Sequence, residues 1–110
     1  MGTGKQDALA EALNALWRQY LPQMQERVAA IASAADKLQR GEEGEHASLA
    51  GAEAHKLAGV LGTFGLARGT DLARDAEMLC NNAAADDAGQ LGARLARIAD
   101  ELSQVLASRE

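Results

Sequence analysis

The sequence predicts an all-α protein: an antiparallel up-down four-helix bundle with a shorter N-terminal helix. Three observations lead there. Composition comes first, since 47% of the 110 residues are apolar but only 3% are aromatic, and the one proline is Pro22. Ala and Leu dominate, and both are strong helix formers. Second, apolar residues recur at alternating steps of three and four, the spacing of a helix face that packs on a core. Third, the segments between these stripes are short and carry Gly, Asn, Asp and Glu, which suits antiparallel neighbours. There is no strand-like alternation, internal repeat or low-complexity tract. The length suits a single domain with one core.

Taken in order, residues 1–6 are expected to form a flexible start, with the folded domain over 7–107. Asp7 is a good N-cap. Leu9, Leu13, Leu16 and Tyr20 form the stripe of the first helix, with Trp17 beside it. Proline favours the first turn of a helix, so a second helix is expected from Pro22. A kinked continuation of the first is the alternative. Met24, Val28, Ile31, Ala35 and Leu38 give the second helix its core face, and Gly41 stops it. Gly41-Glu-Glu-Gly-Glu45 is an acidic, solvated loop whose charge favours the helix start that follows.

The third helix runs from Glu45 or His46 to Phe64, with Gly65 as its C-terminal glycine. Its stripe is Ala50, Ala54, Leu57, Leu61 and Phe64. The fourth spans Ala67 to Asn81 or Asn82, with Gly69, Leu72, Ala76, Leu79 and Ala83 inward and Cys80 next to them. Asn81-Asn82 and Asp86-Asp87 bracket a turn. The fifth buries Leu91, Leu95, Ile98, Leu102 and Val105 or Leu106, and the tail from Ala107 is expected to fray.

Charge and composition narrow the function. A formal net charge of −5 does not suggest a nucleic-acid-binding surface. The longest uncharged run, Leu57 to Ala67, is too short to span a bilayer. No basic and apolar signal segment opens the chain. Cys80 is alone and forms no internal disulfide, which suits a cytoplasmic location. The short loops favour a monomer over a coiled-coil oligomer.

One feature of the third helix stands apart. His55 lies about 140° from the centre of the buried stripe by the helix period, so it faces water. Around it the outer face holds Ser48, Gly51, Ala52, Gly59 and Gly62. Each interior glycine costs a helix about 1 kcal/mol relative to Ala. A bare face around one imidazole offers access to another molecule. Helix ends or tight packing of a neighbouring helix would also account for the glycines.

Other chemistry is excluded by spacing. No G-x-x-x-x-G-K-[ST] phosphate loop is present. His46 and His55 point to opposite sides of their helix, and neither H-E-x-x-H nor a di-iron carboxylate pattern occurs, so no metal site is expected. Cys80 fits a small core residue, His46 a surface residue of a first helical turn, and Trp17 a core or end-cap aromatic. Nothing forms a nucleophile–base–orienter set. Neutral imidazole is nonetheless a nucleophile near pH 7 and accepts phosphoryl groups on a ring nitrogen. Its co-reactant must then arrive activated, on a second protein.

Ala54-His55-Lys56-Leu57-Ala58-Gly59-Val60-Leu61-Gly62-Thr63-Phe64-Gly65 resembles the signature of histidine-containing phosphotransfer (HPt) domains, the modules of two-component phosphorelays. His55, Leu57, Gly59 and Gly65 match it, and the expected bundle extends the resemblance over nearly the whole chain. One position departs: the family usually carries Lys where this chain has Ala58, while a lysine stands at Lys56. The variant also resembles HPt domains within multidomain response regulators, which would make the chain a module of a longer protein.

The resemblance implies a phosphocarrier, not an independent enzyme. A receiver domain, from a response regulator or a hybrid histidine kinase, would bring an aspartyl phosphate with its own Mg²⁺. His55 would accept the phosphoryl group and pass it to another receiver, while the chain itself binds no cofactor. Gly59 would leave room beside the imidazole, and Lys56 would take the place of the missing lysine. Ser48, Gly51, Ala52, Ala58 and Gly62 would let the partner approach. Three rivals share some features: a sensor-kinase dimerisation bundle, whose usual His-Glu and following proline are absent after His55; a non-catalytic adaptor bundle; and the phospho-accepting domain of a chemotaxis-type kinase.

Overall fold

The computed structural model describes residues 2–82 and 87–109. Four helices make up the fold: α1 Gly2–Gln39, α2 His46–Thr63, α3 Ala67–Asn81 and α4 Ala88–Arg109. No strand occurs among the described residues. Ala83 and Asp86 lie outside them, so the inward position of the one and the turn drawn from the other go undescribed.

Contacts between helices fix the topology. Trp17, in the first half of α1, meets Phe64 at the end of α2, while Arg27, further along α1, meets Glu53, earlier in α2. α1 and α2 are therefore antiparallel. Gly51 faces Cys80 and Gly62 faces Thr70, which makes α2 and α3 antiparallel. Arg68 reaches Glu101, and Gly92 packs on Ala35 while Arg109 bonds Asn14. Each helix thus runs against its two neighbours, in the cyclic order α1-α2-α3-α4, which is the predicted up-down bundle.

The core is the predicted one for most of its length. Met24, Val28, Ile31, Ala35 and Leu38 of α1 are buried, as are Ala50, Ala54, Leu57 and Leu61 of α2. Ala76 of α3 and Leu91, Leu95, Leu102 and Leu106 of α4 close it. Phe64, Leu72, Leu79 and Ile98 are partly buried against this cluster.

The first third of the chain differs from expectation. The leading and second helices are one helix of 38 residues, so the chain continues through Pro22 and does not restart there. A proline removes one helical hydrogen bond. Burial of Trp17 and Leu21 before it, and of Met24 and Val28 after it, holds both halves to one axis. Residues 2–6 are part of α1, and Asp7 lies inside it instead of capping it. The stripe Leu9, Leu13, Leu16 and Tyr20 is exposed; Trp17, placed beside that stripe, is the buried residue. The reason is length. At 1.5 Å per residue α1 is about 57 Å long, against about 27 Å for α2. Its N-terminal part overhangs the other three helices and sets the molecule's longest dimension, 58 Å.

The connections follow their glycines. Gly65 adopts φ +70°, and its N–H and that of Leu66 donate to the carbonyls of Gly62 and Leu61. This left-handed closure ends α2 at Phe64 and turns the chain at once into α3.

Candidate functional site

The α2–α3 hairpin builds the site. Its turn is centred on Gly65 and Leu66, so residues equidistant from that point meet across the two helices. Gly51 meets Cys80, His55 meets Glu77 and Gly62 meets Thr70. α2 is tied on its other side by Arg27 of α1, whose Nη1 donates to Glu53 at 2.9 Å. Two side-chain contacts, one toward each neighbour, therefore fix the rotation of α2 and the direction in which His55 points.

His55 points outward, as predicted. Its side chain is 73% exposed, and its Nδ1 lies 2.8 Å from Oε2 of the half-buried Glu77. With Nδ1–H donating to the carboxylate, the ring is held in one tautomer and Nε2 carries the free lone pair. That nitrogen is the nucleophilic position. Glu77 was not among the residues singled out from the sequence. The hairpin arithmetic could have found it: reflecting His55 through the turn lands on Ala76, with Glu77 next to it.

The small-residue face divides in two. Ser48, Ala52, Gly59 and Gly62 are exposed around His55. A side chain added at Gly59 would meet nothing within 4 Å. Gly51 and Ala58 are different, since both are buried on the α3 side of α2. A Cβ at Gly51 would lie 3.0 Å from Cβ of Cys80, so this glycine serves helix packing. Ala58 is buried because its position turns toward α3. The amine usual there in HPt domains is thus replaced by a packed methyl. Lys56 is exposed on the opposite side of His55 from Glu77.

A cleft of about 800 Å³ runs from His55 toward the start of α2, between Ser48, Ala52, Lys56, Glu77 and Cys80. It is open and shallow, shaped for a protein surface more than for an enclosed small molecule. Cys80 lines its floor, and burial pushes its thiol up to about 11, so it is a protonated packing residue there. His46 is half-buried, with Nε2 3.0 Å from the carbonyl of Glu43, and acts on its own loop. Trp17 packs edge-on against Phe64 at 5.1 Å, closing the end of the bundle. No group of three potential metal-ligating side chains occurs among the described residues, and no helix is long and apolar enough to cross a membrane.

The family model described as Hpt domain matches residues 15–108. No curated protein and no solved structure matches the chain.

Proposed function

We propose, from the premise that this chain belongs to the Hpt domain family, that His55 is its phosphoryl acceptor and Nε2 the reacting atom. Membership carries a phosphotransfer role in two-component signalling, and a phosphocarrier type of chemistry in place of self-contained catalysis. The observation that supports His55 in that role is its hydrogen bond to Glu77, made by the inner nitrogen of a ring that is otherwise exposed.

A receiver domain docks over the bare face of α2 with an aspartyl phosphate opposite His55. The Nε2 lone pair attacks phosphorus in line, the N–P bond forms, and the P–O bond to the aspartyl carboxylate breaks. The carboxylate leaves with the bonding pair, and Glu77 balances the imidazolium charge through Nδ1–H. Reversal onto a second receiver regenerates the free imidazole. Phosphoryl transfer depends chiefly on positioning and on neutralising charge at the phosphoryl oxygens. The Mg²⁺ and the remaining catalytic groups belong to the receiver. Lys56 contributes the one amine that this chain places beside His55 on α2. Gly59, Ala52, Ser48 and Gly62 supply clearance.

A second reading has one observation in its favour: Ala58 carries no amine and is buried. In that reading the bundle docks receivers without accepting phosphate. Intact-mass measurement separates the two. The protein is mixed with phosphorylated receiver domains and Mg²⁺, beside a His55→Gln control. Gain of one acid-labile phosphoryl group by the wild type alone is the expected result. Equal gain by the control would reject His55 as acceptor, and binding without gain would favour the adaptor.

A further inference from the structure

Transfer to Nε2 of His55 brings negatively charged phosphoryl oxygens up to a carboxylate. Oε2 of Glu77 lies 2.8 Å from Nδ1 of the same ring, and its charge opposes theirs. Lys56 faces this load from one side only, the side away from Glu77. Ala58, where the amine usual in the family would stand, is buried against α3. A cation on the Glu77 side must come from another element.

The register of the α2–α3 hairpin supplies one. His55 meets Glu77, and Gly62 meets Thr70. Arg74 lies between Glu77 and Thr70 in α3, as Ala58 and Gly59 lie between His55 and Gly62 in α2. Arg74 is therefore the α3 residue opposite the missing lysine. By the 100° period it lies about 60° round α3 from Glu77, with Asn81 about 40° round to the same side. Asn81 lines the cleft beside His55, while Cys80, on the other side of Glu77, is buried. Arg74 thus occupies the outer edge of α3 that borders His55, and it is exposed. Three residues from Glu77, its Cβ is about 5–6 Å from that of Glu77. Among the described residues it forms no ion pair. Asp71 and Asp75 lie further round the helix, away from α2. The space over Gly59 is open, since a Cβ there would meet nothing within 4 Å.

We propose that Arg74 supplies the phosphoryl-binding cation that Ala58 lacks, reaching across from α3 as the group arrives; this rests on His55 being the acceptor. The N–P bond forms at Nε2, and the P–O bond to the aspartyl carboxylate breaks with its electron pair. Meanwhile the Arg74 guanidinium donates to the non-bridging phosphoryl oxygens and offsets the charge of Glu77. A guanidinium suits this place, because its planar fork donates to two phosphate oxygens at once. Lys56 and Arg74 then flank the phosphoryl group from opposite sides, one from each helix of the hairpin.

Uptake of an acid-labile phosphoryl group from phosphorylated receivers with Mg²⁺ is followed by intact mass for the wild type, Arg74→Gln and His55→Gln. Arg74→Gln is expected to slow uptake about tenfold, less than the loss of an arginine finger because the site is exposed. Its helical circular dichroism should be unchanged, and Arg74→Lys should recover part of the rate. Slower uptake alone would also follow from a contact between Arg74 and the receiver, so a second readout excludes the receiver. In the isolated phosphoprotein, ³¹P NMR against pH follows ionisation of the phosphoryl group. A cation beside that group favours its dianion. The midpoint should therefore rise by roughly half a pH unit in Arg74→Gln, the scale of an exposed ion pair. If either the rate or the midpoint matches the wild type, Arg74 is not the phosphoryl cation. No uptake by the wild type, or equal uptake by His55→Gln, would instead overturn the acceptor role on which it rests.

Discussion

Gly51 and Gly59 stand eight residues apart on the same helix, and the fold treats them oppositely. At Gly51 the missing side chain lets α3 approach until Cys80 Cβ is 3.0 Å from where a Cβ would be. At Gly59 the same absence faces open space. The first glycine offsets its helix penalty by packing. The second offsets it with nothing inside this chain. A destabilising residue that the fold does not use points to a use outside the fold, and Gly59 is one turn from His55. That comparison, more than the presence of glycine as such, supports a docking face.

The sharpest way to break it is Gly59→Gln. A long side chain there should lower phosphoryl uptake from a phosphorylated receiver at least tenfold, by fouling the approach to Nε2. The same variant should unfold later than the wild type, since replacing an exposed helical glycine with a good helix former gains up to about 1 kcal/mol. Activity falling while stability rises is the signature of a clearance residue. Normal transfer, measured as intact mass against time, would remove steric access from the account.

How much of this was legible in the sequence depends on what covers each face. The 3–4 spacing correctly grouped Met24, Val28, Ile31, Ala35 and Leu38, and all are buried. It grouped Leu9, Leu13, Leu16 and Tyr20 just as well, and they are exposed. Periodicity reports which residues share a face, not whether a neighbour reaches it. At Pro22 a local rule suggested a break that packing on both sides overrides. The outward direction of His55 followed from the helix period, because it needed α2 alone. The burial of Gly51 and Ala58 did not, because it depends on which side of α2 receives α3. Glu77 lies on another element and became visible only through the register of the hairpin.

Glu77 gives the next effect in size. Glu77→Ala removes the acceptor on Nδ1, so the imidazole loses its fixed tautomer and orientation. Transfer is expected to slow about tenfold, by analogy with the cost of removing a carboxylate that orients a metal-bound histidine. Glu77→Gln keeps an acceptor oxygen and should lose less. A purely structural role would not alter the ring, so the deciding readout is the ¹⁵N shifts of His55. These should report a mixed tautomer in Glu77→Ala and a largely single one in the wild type. Unchanged shifts would reduce Glu77 to a surface neighbour.

The smallest effect returns to the glycines themselves and concerns stability alone. Gly92 on α4 is the tightest seam position, since an added Cβ would lie 2.6 Å from the carbonyl oxygen of Ala35 and 3.0 Å from the backbone N of Gln39. Backbone cannot rotate aside as a side chain can, so α1 and α4 must separate locally. Overpacking of this kind costs about 1–3 kcal/mol. Gly92→Ala should therefore lower the unfolding midpoint, whereas Gly59→Ala should raise it through helix propensity of about 1 kcal/mol. One substitution chemistry at two helical glycines thus has opposite signs, and denaturant titration of the pair measures both. If the two variants moved stability in the same direction, the division between glycines that pack and glycines that clear a path would fail, and with it the argument from Gly59 to a docking face.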